Sequence, residues 1–366
     1  MKVGILGGGQ LGQMLAEAAH DMSLETLVLD PKPDAVAGQT TRHLVADWHD
    51  EAALRELAGC DVVTYEFENV PTAAVERLIA DVPVHPSPVS LAVSGDRIAE
   101  KEFFQDLGIE TAPFAQVDSR AGLDLAVAAL GLPAILKTRR FGYDGKGQAV
   151  LRNAADVDAA WERLGDQALI LEGFVPFDRE VSVIAVRGRD GEVRSWPATE
   201  NVHVNGILHI SRAPAPEVSS ALRDSAAVRL EALMSRLDYV GVLVVEFFQM
   251  GDRLIANEMA CRVHNSGHWT IEGASTSQFE NHMRAVAGLA LGDTRVEGYA
   301  AMINLVGEVP ALARIESNPE IHVHVYGKSP APGRKLGHVT VLADSREALE
   351  ARIDEVLAVV GDRAAN

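Results

Sequence analysis

Two glutamates set in adjoining apolar strands constrain this chain more than any other feature. In the stretch GVLVVEFFQMGDRLIANEMACRVHNSGHW, from Gly241 to Trp269, Val242 to Phe248 is β-branched and aromatic. Met250-Gly251-Asp252-Arg253 carries turn residues, and Leu254 to Met259 is apolar again. That pattern predicts a β-hairpin. With a loop from Gly251 to Arg253, Met250 pairs with Leu254, and Glu246 falls directly opposite Glu258 on one face. Facing carboxylates destabilise a sheet unless a cation sits between them, and hard oxygen donors suit Mg²⁺ shared with a nucleotide's phosphates. A loop of even length would instead send one glutamate to solvent. Arg262, His264, Asn265 and His268 follow closely, with Ser266 and Gly267 allowing irregular backbone near a ligand. Arg262 offers the planar fork that holds carboxylate or phosphate oxygens.

The chain has 366 residues, beyond the size at which one core stops growing, so two or three domains are expected. No apolar run approaches the roughly 20 residues of a membrane span, and MKVGILGGGQLGQM is broken by Gly and Gln where a signal peptide needs an apolar run. A cytoplasmic location is expected. Two cysteines, Cys60 and Cys261, are too few for a disulfide framework or a thiolate metal cage. A formal charge of −19 argues against nucleic acid or an anionic membrane as partner. The few cations cluster at Lys137 to Lys146, with Arg139 and Arg140, and at Lys328 to Lys335, which marks candidate phosphate contacts.

Lys2 to Leu6 reads as a strand, followed by Gly7-Gly8-Gly9-Gln10-Leu11-Gly12 opening a helix towards His20. This fits G-x-G-x-x-G, and the next strand ends in Asp30, near the place of a dinucleotide fold's ribose acid. The turn shows only that backbone can approach an anion at a helix N-terminus, so a nicotinamide dehydrogenase stays open here. Strand and helix alternate through the first hundred residues, as a parallel sheet requires. Glu66 and Glu68, past the strand Asp61 to Tyr65, line its crevice within reach of a sugar hydroxyl. Val82 to Pro88, with three prolines, reads as a linker that joins neither helix nor central strand.

Beyond it, Asp96 to Leu107 is helical and carries Arg97 and Lys101. The strand Ala134 to Thr138 presents Lys137 before Phe141-Gly142-Tyr143-Asp144-Gly145-Lys146-Gly147-Gln148, a loop whose backbone N–H groups can close over phosphates. It is not a P-loop, because no G-K-[ST] opens a helix. A strand ending in Glu172-Gly173-Phe174-Val175 offers backbone groups to an adenine edge, and Glu180 a carboxylate to ribose hydroxyls. Val181 to Ile210 alternates with period two and holds His203 in an antiparallel sheet. Strands at Ala301 to Val306, Ile321 to Tyr326 and His338 to Leu342 precede a helix capped by Ser345.

This order of parts resembles the ATP-grasp superfamily, and within it the 5-(carboxyamino)imidazole ribonucleotide synthase family of purine biosynthesis. The strings GGGQLGQM from Gly7, GYDGKGQ from Gly142, NEMACRVHNSGHW from Asn257 and PGRKLGH from Pro332 carry the resemblance over nearly the whole chain. It implies an α/β ATP-grasp fold in three parts. These are a Rossmann-like parallel-sheet domain over 1–95, an ATP-grasp domain over 96–295 with a small α/β lid at about 115–180 and an antiparallel central sheet, and a β-rich segment over 296–366 packed on that centre. ATP would meet Arg97, Lys101, Lys137, the loop Gly142, Tyr143, Asp144, Gly145, Lys146, Gly147 and Gln148, then Glu172, Gly173, Phe174, Val175, Glu180, His203 and Asn257. Glu246 and Glu258 would ligate Mg²⁺ or Mn²⁺. Asp144, Lys146, Arg262, His264 and Asn265 would face bicarbonate and the ribonucleotide. Gly9, Gln10, Leu11, Glu66, Lys328, Arg334 and Lys335 would hold 5-aminoimidazole ribonucleotide.

The implied reaction is ATP-dependent carboxylation of that ribonucleotide's exocyclic amine by bicarbonate through carboxyphosphate, by a homodimer. Ala260 stands where many ATP-grasp enzymes carry Asn, and Cys261 where the family usually carries Pro. Another ATP-grasp ligase acting through a formyl or acyl phosphate, an NAD-dependent dehydrogenase and a non-catalytic nucleotide-binding subunit are the alternatives.

Overall fold

Short β-branched segments near the N-terminus build a parallel sheet. Strands β1 (Lys2–Leu6), β2 (Glu25–Asp30), β3 (Arg42–Val45) and β4 (Val62–Tyr65) lie in the order β3-β2-β1-β4. The computed structural model describes residues 1–142 and 145–361. Val3, Ile5, Leu6, Leu27, Val28, Leu29, Val62, Val63 and Tyr65 are all buried, as strands covered on both faces must be. The proline-rich stretch is more than the linker expected of it. Val84 forms a parallel bridge to Val63, and Pro88 is the first residue of the helix Pro88–Ser94, where a missing N–H and a fixed φ do no harm.

The second sheet is antiparallel: β5 (Phe114–Val117), β6 (Ala134–Thr138), β7 (Gln148–Leu151) and β8 (Leu169–Gly173), in the order β5-β8-β6-β7. Its own core of Val117, Leu123, Ala126, Leu136, Val157, Ala160 and Leu171 lies between the sheet and the helices Arg120–Leu130 and Ala154–Leu164.

The third sheet has nine strands. β9 (Arg179–Arg187), β10 (Val193–Ser195), β11 (Thr199–Val204), β12 (Ile207–Ala213), β13 (Gly241–Met250), β14 (Arg253–Ala260), β15 (Tyr299–Val306), β16 (Ile321–Val325) and β17 (Lys335–Ala343) run β14-β13-β9-β11-β12-β15-β17-β16, with β10 on β9. The C-terminal strands therefore continue the central sheet through the β12–β15 ladder.

The hairpin β13–β14 departs from the expected register. Met250 pairs with Arg253 across a two-residue turn in which Gly251 has φ +54°. An even loop alone would set Asn257 opposite Glu246. A β-bulge absorbs Asn257, and above it Glu246 pairs with Glu258, Val245 with Met259 and Val244 with Ala260. The opposition of the two glutamates holds, but the bulge produces it, not a three-residue loop.

Candidate active site

Glu258 sits on the edge strand β14, where the helix Arg97–Asp106 reaches it. Arg97 Nη1 donates to Glu258 Oε2 at 2.8 Å. Burial raises the Glu258 carboxyl, but Arg97 and Lys137 outweigh it and hold it below the ordinary carboxylate value. Its partner behaves oppositely. Burial, and then the charge of Glu258, push Glu246 up to about 7. Two carboxylates driven apart in this way form a donor set that a hard divalent cation fits, since it would stabilise both as anions. His264 Nε2 lies 3.6 Å from Glu246 Oε1, and burial, then Arg262 and Lys335, keep that imidazole neutral.

Beside the glutamates lies a buried triad. Lys137 Nζ donates to Glu172 Oε2 at 2.9 Å, and Lys101 Nζ is 3.3 Å from Glu172 Oε1. Despite burial, Lys137 and Lys101 draw the Glu172 carboxyl down to about 2, while burial lowers Lys101 itself. Lys137 also approaches Asn257 Oδ1 at 3.5 Å. The Glu172 side chain is thus a counter-ion, which leaves only backbone for an adenine edge. The N–H groups of Gly173 and Phe174 are already bound to Pro113 and Pro133 carbonyls. Val175 is buried, and Phe174 is half exposed.

Glu180 and His203, on β9 and β11, are hydrogen-bonded to each other. Burial lowers His203, but Glu180 and Glu246 bring it above its ordinary value. In the loop, Gly145 and Gly147 have positive φ, and a Cβ on Gly147 would lie 2.6 Å from Thr138 Oγ1. A Cβ on Gly145 would meet the Asn205–Gly206 turn at 3.0 Å, so the loop touches the central sheet. Lys146 and Gln148 are exposed; Tyr143 and Asp144 lie outside the described residues. Arg139 does not face this site, for its guanidinium forks Asp96 at 3.0 and 2.7 Å.

At the other end, the glycine turn is satisfied from within. Gly8 N–H donates to Asp30 Oδ2 at 2.8 Å, and Gly9 N–H to Glu66 Oε1 at 2.7 Å. A Cβ on Gly7 would lie 2.7 Å from Glu66. Asp30 is therefore occupied with Gly8, and the Glu66 carboxylate stands where a dinucleotide's pyrophosphate would approach. NAD and NADP are expected not to bind; calorimetry giving a micromolar affinity for either would overturn this account of the turn. Arg262 Nη2 donates to Glu68 Oε2 at 2.9 Å, and Lys328 donates to Gln10 Oε1. Burial lowers Lys328 to about 8 and raises Glu66, on whose charge Arg262 and Lys328 both act.

Not every expected residue points the same way. The Leu11 side chain is packed in the core, leaving only its backbone at the helix start. The Asn265 amide pairs reciprocally with Asn304, at 3.1 and 2.7 Å. Arg334 is exposed and donates to the Ser329 carbonyl at 2.9 Å, whereas Lys335 acts on Glu246 and His203.

Comparison with known proteins agrees with this arrangement. A ribonucleotide synthetase preATP-grasp domain model matches residues 1–95, an ATP-grasp domain model 102–279, and a phosphoribosylaminoimidazole carboxylase C-terminal domain model 300–352. The N5-carboxyaminoimidazole ribonucleotide synthase of Pseudomonas aeruginosa is 52% identical over 361 residues, 98% of this chain and 99% of that protein. The chain belongs to the N5-carboxyaminoimidazole ribonucleotide synthase family.

The family member from Bacillus subtilis is 41% identical over 348 residues, 93% of this chain and 91% of that one. Two crystal structures bracket the geometry. The Thermus thermophilus synthetase is 52% identical with a TM-score of 0.94, covering 98% of this chain and 99% of that one. The Aspergillus clavatus synthase, solved with ADP and 5-aminoimidazole ribonucleotide, is 33% identical with a TM-score of 0.90, covering 98% of both chains. The fold is the family's mixed α/β ATP-grasp fold, with a parallel N-terminal sheet and antiparallel sheets elsewhere. Cys261, at the position where this family usually carries Pro, is fully buried with Sγ 3.4 Å from the Ser90 carbonyl. It fills its place as a small apolar residue.

Sequence reasoning missed Glu100 and Asn304. Glu100 is 2% exposed and burial pushes it up to about 8; Asn304 is also 2% exposed. Asn304 interrupts an apolar strand, a signal that names no partner, whereas Glu100 lies among the charged residues of its helix and stands out by nothing.

Proposed function

We propose that this protein carboxylates the exocyclic amine of 5-aminoimidazole ribonucleotide with bicarbonate and ATP, releasing ADP and phosphate, in de novo purine biosynthesis. The observation that carries this reading is the Glu246–Glu258 pair beside the Lys101–Glu172–Lys137 triad. The glycine loop lies next to it, and the Arg262, Glu66 and Lys328 end serves a ribonucleotide. A bicarbonate oxygen attacks the γ-phosphorus, the bond to the β-phosphate oxygen breaks, and ADP leaves. The amine then attacks the carboxyl carbon of carboxyphosphate, phosphate departs, and the amine loses a proton.

In this reading Arg97, Lys101 and Lys137 neutralise the charge that spreads over the transferring phosphoryl group, which supplies most of the catalysis in such a transfer. Among the described residues no cluster of three His, Cys, Asp or Glu forms a metal cage. Glu246 and Glu258 would hold Mg²⁺ or Mn²⁺, and the ion would supply charge neutralisation on the triphosphate. Gly142 to Gln148 excludes water from carboxyphosphate. Gly173 to Val175, Glu180 and His203 serve the nucleoside, and Asn257, beside Lys101 and Lys137, serves the nucleotide at its phosphate end. Arg262, His264, Lys335 and Lys146 with Asp144 serve bicarbonate and the amine, while Gly9, Gln10, Leu11, Glu66, Lys328 and Arg334 serve the ribonucleotide. Asn265 acts through Asn304 on the loop that carries His264. A cytoplasmic homodimer completes the proposal; no helix among the described residues is long and apolar enough to cross a membrane.

The test is ADP release with bicarbonate, formate and ribonucleotide withheld in turn. Release is expected to fall to background without bicarbonate or without the ribonucleotide, and to be indifferent to formate. Full release on formate alone would overturn the assignment in favour of another ATP-grasp ligase.

A further inference from the structure

The carboxyl group of Glu100 takes no part in the chemistry above, yet it is buried against the site. It lies on the helix Arg97–Asp106 between Arg97 and Lys101, and its Oε1 accepts from Met259 N–H at 2.7 Å. The next residue, Lys101, donates to the Asn257 carbonyl at 3.2 Å, and Arg97 holds the Glu258 carboxylate itself. The helix therefore grips β14 at three points: the carbonyl before Glu258, the side chain of Glu258 and the N–H after it.

That grip answers a need created by the fold. β14 ends the sheet order; on its outer side the Glu110 carbonyl takes the Ala256 N–H in an isolated bridge, and among the described residues no strand continues that pairing to Met259. The bulge at Asn257 interrupts the ladder on its inner side one residue before Glu258. Without an outer partner at Met259, Lys101 and Arg97 would hold only the Asn257 carbonyl and the Glu258 side chain, and the backbone after Glu258 would be fixed from the β13 side alone, next to a break in pairing.

We propose that Glu100 is a positioning residue for Glu258: by accepting the Met259 N–H it fixes the backbone so that the Glu258 carboxylate faces Glu246. The proposal rests on reading Glu246 and Glu258 as cation ligands. Were Glu100 merely a counter-charge for Arg97 and Lys101, a neutral glutamine there would fail as alanine does.

The experiment is calorimetric titration of the full chain with ADP, in Mg²⁺ and in excess EDTA. Glu100→Ala is expected to weaken Mg-ADP binding by about tenfold or more, as loss of a group supporting a metal ligand does, while metal-free ADP binding stays within about twofold. Glu100→Gln, whose amide oxygen still accepts from Met259, is expected to recover affinity to within about threefold of the parent. Hydrogen exchange at the Met259 amide should quicken in the alanine variant and not in the glutamine one. Should Glu100→Ala not fold, Glu100→Met keeps the volume without an acceptor and takes its place. An unchanged Mg-ADP affinity, equal losses with and without metal, or a glutamine variant as weak as alanine overturns the role of Glu100. A parent protein that binds ADP equally with and without Mg²⁺ instead removes the cation reading of Glu246 and Glu258, and this proposal with it.

Discussion

Glu258→Gln is expected to lower ADP release by more than about a thousandfold while the protein remains folded, since phosphoryl transfer is accelerated chiefly by stabilising the charge on the transferring group. Glutamine keeps the volume of the side chain and still offers Arg97 an oxygen at the 2.8 Å contact. What disappears is the anionic ligand on the bulged edge, and with it the site's hold on a divalent ion. Circular dichroism and thermal melting check the fold, and coupled detection of ADP checks the chemistry. Turnover at the parent rate would refute the metal assignment of both glutamates.

Glu172→Gln is expected to destabilise the fold by about 3–5 kcal/mol, the usual effect of removing one partner from a buried ion pair. Lys101 is fully buried and Lys137 nearly so, and Glu172 is the carboxylate both reach. The pH dependence has a definite sign. The folded carboxyl, at about 2, lies below its ordinary 4.5, so its contribution is complete above pH 4.5 and is lost as pH falls towards 2. Taken alone that shift corresponds to about 3 kcal/mol. Lys101 moves the opposite way: its depressed value subtracts from stability at neutral pH, so the triad as a whole contributes less than Glu172 alone. Urea unfolding at pH 7 and pH 3 should show the parent losing stability faster than the variant between them. Parallel losses would place the acid sensitivity elsewhere.

Periodicity made much of this molecule legible in its sequence. β1, β6 and the helix Arg97–Asp106 stand within a residue or so of where apolar pattern, turn residues and caps put them. The same local logic fails wherever a residue's reason lies far along the chain. Glu172 reads only as the start of a strand end that offers backbone to adenine, because nothing nearby reveals two lysines, at 101 and 137, converging on its side chain. Asp30 fits a dinucleotide fingerprint by spacing, yet it serves Gly8, 22 residues away. Glu100 meets its backbone partner 159 residues away, and Asn265 its amide partner 39 away. Pro88 misleads for a different reason: a proline is compatible with the first position of a helix, and the cluster around it hides that position.

The extra residue at Asn257 turns the spacing of Glu246 and Glu258 into a question of odd and even. Side chains alternate between faces with period two, so deleting one residue between 247 and 257, or inserting one, would turn one glutamate of the pair away from the other. Changes of two residues at the Gly251–Asp252 tip would leave the two facing each other. Length variation in this hairpin should therefore be tolerated in pairs, and any single-residue change should come with gain or loss of the irregularity at 257.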